Sequence, residues 1–127
     1  MSNNKDKWID VVAKLTKLTQ EKKLLWVTTD SPSSTPSYVT IRISFATKYK
    51  GRSLRLYEKE FDHTSNRSII GGLMFEETET VLELLDENGI GIWSFPGTRA
   101  LSDLMSAVRF QISGANDFIN DVLADDD

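Results

Sequence analysis

Residues 38–61 read YVTIRISFATKYKGRSLRLYEKEF, and this stretch decides the fold. Val39, Ile41, Ile43 and Phe45 share one parity, whereas Thr40, Arg42, Ser44 and Lys48 share the other, which is the period of a strand with one dry and one wet face. Lys50-Gly51 then supplies a two-residue turn, because glycine accepts the positive φ that tight hairpins require. Arg52 to Phe61 returns as the antiparallel partner. Pairing Tyr49 with Arg52 sets Phe45 against Leu56 and Thr47 against Leu54 on the dry side. On the wet side it sets Ala46 against Arg55, Ser44 against Tyr57 and Arg42 against Lys59.

The flanking sequence builds outward from this hairpin. Upstream, Trp8, Val11, Val12, Leu15 and Leu18 recur at helical spacing, and Glu21-Lys22-Lys23 places cations where a helix C-terminus favours them. Leu24 to Thr29 is too short for a helix and rich in strand formers, so it predicts a first strand. Residues 30–37, with two prolines and four serines, predict a loop. Downstream, residues 62–73 form a polar stretch with one short tucked piece at Ile69-Ile70. Asn88-Gly89 between two apolar runs predicts a second hairpin that sets Glu87 against Ile90, Leu84 against Trp93 and Leu82 against Phe95. Gly91 in that hairpin predicts close approach by a neighbour.

After Pro96-Gly97 the period lengthens to that of a helix. Leu101, Leu104, Met105, Val108 and Ile112 form its stripe, with Thr98 as N-cap and Gly114 as the left-handed stop. Asn116 is placed to cap a short last helix carrying Phe118, Ile119, Val122 and Leu123. The sequence thus predicts an α+β fold: a single antiparallel sheet of about five strands built from hairpins. An N-terminal helix and one long plus one short C-terminal helix pack on it, burying their stripes. Neither a repeat nor a composition break divides the chain, so residues 1–127 read as one domain, with 1–5 and 125–127 as disordered tails.

Composition narrows the function. The sequence of 127 residues has no cysteine, which excludes disulfides, thiolate catalysis and thiolate metal sites and fits a reducing, cytoplasmic setting. No apolar run approaches the roughly 18 residues that span a bilayer, and residues 1–7 lead into an amphipathic segment instead of a signal-peptide core. The net charge of −4 hides a gradient: residues 1–62 hold 12 Lys/Arg against 7 Asp/Glu, and residues 63–127 hold 3 against 12. An acidic total without a dense basic run argues against nucleic acid, where phosphate neutralisation supplies most of the affinity.

Catalytic signatures are missing. The sequence lacks a phosphate loop, a nucleophile elbow, an H-E-x-x-H helix and a dinucleotide fingerprint. The single histidine, His63, excludes polyhistidine metal sites, and the carboxylates of Glu76-Glu77-Thr78-Glu79 and Glu83 to Glu87 have no spacing that demands convergence. The reading is therefore a non-enzyme without cofactor or metal.

The best-defined cluster is the wet face of the first hairpin, where Arg42, Arg55 and Lys59 surround Tyr57, with His63 and Arg67 close behind in sequence. Guanidinium forks beside a phenol suit an anion or a docking protein. Because like charges directly across a ladder repel, Arg42 and Lys59 call for an anionic counterpart, either the Asp117 to Asp127 region or an external partner. On the second hairpin, Val81, Leu85 and Ile92 give the outer face more apolar surface than solvent favours, which points to a homodimer or a protein partner there. The leading expectation is a small interaction module of regulatory, adaptor or inhibitor type. The alternative is a binder of a small anionic ligand, such as a nucleotide, on the basic face.

Overall fold

The structure, a computed structural model, describes residues 4–32, 37–61, 69–70, 73–74 and 78–125. Helix α1 (Asn4–Gln20) leads into β1 (Val27–Thr28), β2 (Val39–Tyr49) and β3 (Arg52–Phe61). A two-stranded hairpin, β4 (Ile69–Ile70) with β5 (Leu73–Met74), precedes β6 (Thr78–Leu85) and β7 (Gly91–Ser94), and α2 (Arg99–Ser113) and α3 (Ala115–Leu123) close the order. The main sheet runs β1-β2-β3-β6-β7 with every neighbour antiparallel, as the hairpin reading requires.

The turns follow from backbone chemistry. Lys50 and Gly51 both take positive φ (50° and 82°), the conformation whose twist matches that of the strands it joins. Helix α1 ends in a Schellman arrangement: the Lys23 amide donates to the Leu18 carbonyl at 2.9 Å and the Lys22 amide to Thr19 at 3.1 Å, with Lys22 itself left-handed. At the second hairpin Asp86, not Glu87, pairs with Ile90. The Asp86 Oδ1 accepts the amides of Asn88 and Ile90 at 2.8 and 2.9 Å, which draws the turn one residue wider than expected.

The core is a cluster in which Val12, Leu15, Leu24 and Trp26 meet Phe45, Leu54, Leu56 and Leu82 of the sheet and Leu101, Leu104, Met105 and Val108 of α2. Helices α1 and α2 therefore cover one sheet face with most of the stripes read from sequence, while Val11 and Ile112, counted in those stripes, stay exposed. Gln111 ties their ends together. Its Oε1 accepts the Trp26 amide at 2.8 Å, and its Nε2 donates to the Leu24 and Thr19 carbonyls at 2.9 and 3.0 Å. That bond also shortens the first strand: Trp26 spends its amide on Gln111, and only Val27 and Thr28 of the expected Leu24–Thr29 pair with β2.

Two further expectations are corrected. Thr98 is extended at the α2 N-cap, but its hydroxyl makes no cap hydrogen bond. Asn116 lies inside α3, because Gly114 (φ 71°) at once stops α2 and starts α3.

Candidate functional site

The first hairpin follows the expected register from Tyr49↔Arg52 to Ile43↔Glu58 and then departs from it. Ile43 pairs with Glu58 and Ile41 with Lys59, so Arg42 sits on a bulge and does not face Lys59. The sequence of β3 supplies the reason. Glu60 continues the parity of Leu54 and Leu56, so an unbroken register would press Ile41 onto its carboxylate, just as Ile43 already lies opposite Glu58. The bulge instead brings Arg42 to 3.9 Å from both Glu58 and Glu60, while Arg109 of α2 reaches Glu58 at 3.6 Å. Val39 and Ile41 thereby pass to the opposite sheet face from Ile43 and Phe45.

That opposite face is organised in rows across β2, β3 and β6. One row is Ala46, Arg55 and Glu83; the next is Ser44, Tyr57 and Val81; a third is Ile41, Lys59 and Glu79. Arg55 donates from Nε to the Glu83 carboxylate at 2.7 Å, a second guanidinium nitrogen touches the same oxygen, and the two side chains are only 11% and 10% exposed. Gly91 makes room for this pair: a Cβ there would lie 2.5 Å from Glu83 Oε2. The close approach expected at this glycine is thus to a carboxylate. Lys59 lies 3.6 Å from Glu79. The predicted wet face is therefore largely withdrawn from water, with Ser44 and Val81 buried beside Glu83.

These pairings identify the anionic counterpart. It is supplied by Glu58, Glu60, Glu79 and Glu83, and among the described residues Asp117, Asp121 and Asp125 form no ion pair with this cluster. The structure brings together Arg55, Tyr57 and Lys59, and sends Arg42 to the helical side; His63 and Arg67 lie outside the described residues. Glu79 and Glu83 were missed because their positions depend on how β3 pairs with β6 across the segment between them. Of the three residues assigned to an interface, Val81 is buried, Leu85 is half-buried and Ile92, 57% exposed, is set on a second bulge, since Leu84 pairs with Trp93 but Leu85 with Gly91. Trp93 instead stacks towards α1, with ring centroids 5.2 Å from Trp8 and 4.8 Å from Phe95.

Tyr57 feels this environment. Burial, then Glu83 and Glu79, push its phenol above the ordinary value of 10.0, with Arg55 pulling the other way. A raised acid contributes stability that is present below the ordinary tyrosine range and lost as pH climbs through the raised value. The stabilities of wild type and Tyr57→Phe should therefore run parallel to about pH 9 and diverge above it, wild type falling faster. Denaturant midpoints measured across that range check this; curves that stay parallel would show a solvated hydroxyl.

The largest departure from expectation is α3. None of its residues is buried: Phe118 is 69% and Leu123 76% exposed, and Ile119 and Val122 are 44% and 55% exposed. Its neighbour Phe110 on α2 is also exposed. Elsewhere, an open groove of about 500 Å³ runs between α1 and the tip of the first hairpin, floored by Val11, Leu18, Tyr49, Leu84 and Phe95. Among the described residues no helix is long and apolar enough to cross a membrane. Comparison with protein-family models, curated proteins and solved structures found no match for this chain.

Proposed function

We propose that this chain is a small non-catalytic interaction module, of regulatory, adaptor or inhibitor type, that acts through protein contacts made by α3. The observation that carries the reading is the uncovered stripe of Phe118, Ile119, Val122 and Leu123, four apolar side chains on one face of a helix that buries nothing of its own. A stripe with that spacing is the pattern of a helix that lies in an apolar groove. The reading revises where the contact is made: Val81 is already buried, so α3 replaces the second hairpin as the leading surface. The anion-binding alternative loses support, because Arg55 and Lys59 already face carboxylates of β6. The setting we assign is cytoplasmic, on the cysteine-free composition.

A photo-crosslinking residue at position 118, introduced in cells, tests the reading against the same residue at the exposed Ser102 of α2. Discrete covalent adducts are expected from position 118 and not from position 102. Absence of adducts from 118, or the same adducts from both, would overturn it.

A further inference from the structure

We infer that the partner of α3 is a second copy of this chain, and that its stripe lies in the groove between α1 and the tip of the first hairpin. The inference rests on the reading of α3 as a contact surface and names its occupant. Three features of the two surfaces match. The first is polarity: the groove floor is apolar side chain almost throughout, and the stripe offers four apolar side chains to it.

The second is length. The groove, rim included, follows α1 from Lys7 to Leu18, about 17 Å at the rise of an α-helix, and the nine residues of α3 span about 14 Å.

The third is charge. Lys7, Lys14, Lys50 and Arg52 stand on the groove rim with Asp10 as the one acid. Opposite in sign, Asp117 and Asp121 lie one turn apart beside the stripe, and residues 110–127 contain five aspartates and no Lys or Arg. Complementary rims fix the orientation of a helix whose apolar face alone would accept several.

Docking within one chain is disfavoured by the path. A single residue, Gly114, joins α3 to α2, and no residue of either helix lines the groove. Reciprocal exchange between two copies satisfies both stripes and both grooves, and closes with two-fold symmetry.

A charge swap tests this with full-length chains. One variant carries Asp117→Lys and Asp121→Lys; the other carries Lys7→Glu, Lys14→Glu and Arg52→Glu. All five positions are exposed, so both variants should melt near wild type. By sedimentation, wild type should give twice the 14.4 kDa chain mass at micromolar concentration. Each variant alone should dissociate, with Kd raised about a hundredfold by like charges on both contacts. Mixed in equal amounts they should re-form a dimer, because each α3 then meets a groove of opposite charge. A monomeric wild type, or a mixture that stays monomeric, would overturn the inference. The interaction reading would survive such a result if position 118 still cross-linked to a different protein, and would fail with it if nothing cross-linked.

Discussion

Replacing Glu83 by Leu while Arg55 remains is expected to destabilise the chain by about 3–5 kcal/mol, the cost of leaving a charge withdrawn from water without its partner. Both side chains are about nine-tenths covered, and Gly91 holds the carboxylate where the guanidinium can reach it. The double variant Arg55→Met with Glu83→Leu removes the charge instead of stranding it. It should recover most of the loss, and could match wild type, because two desolvated ions cost about as much as their attraction returns. Denaturant unfolding of the three proteins checks both halves. A single variant within about 1 kcal/mol of wild type would mean that Arg55 reaches solvent once released.

The second large effect lies on the other side of the sheet. Leu104 is fully covered at the centre of α2, within the cluster shared with α1 and the sheet. Leu104→Ala should cost about 2–5 kcal/mol, the lost transfer energy plus that of the cavity left behind, out of the 5–15 kcal/mol typical of a whole domain. A shift of the melting midpoint by only a degree or two would show that the layer between α2 and the sheet can collapse around the gap.

The parts of the fold that local chemistry determines were legible in the sequence. The Lys50-Gly51 turn, the register it sets from Tyr49 back to Ile43 and the stripe of Leu101 to Val108 each have one cheap solution, and the chain adopts it. What escaped depends on neighbours remote in sequence. The bulge at Arg42 keeps Ile41 off Glu60, which becomes a problem for β2 only after β3 has folded back on it. The Arg55–Glu83 pair needs the register of β3 with β6, which no turn specifies. The shortening of β1 turns on Gln111, 85 residues from the amide that it captures. For α3 the failure was of another kind: periodicity announces an apolar face but not what covers it, and among the described residues nothing buries it.

The order of the main sheet has a kinetic meaning. Its strands lie side by side in the order in which they leave the chain, so each ladder can close a short loop with little loss of chain entropy, the β3–β6 step being the widest. The long-range closure falls almost wholly on one event, the arrival of α2 against α1 and the sheet, sealed where Gln111 bridges Trp26, Leu24 and Thr19. Such a molecule can assemble its hairpins early and cross its barrier as the two ends of the chain meet.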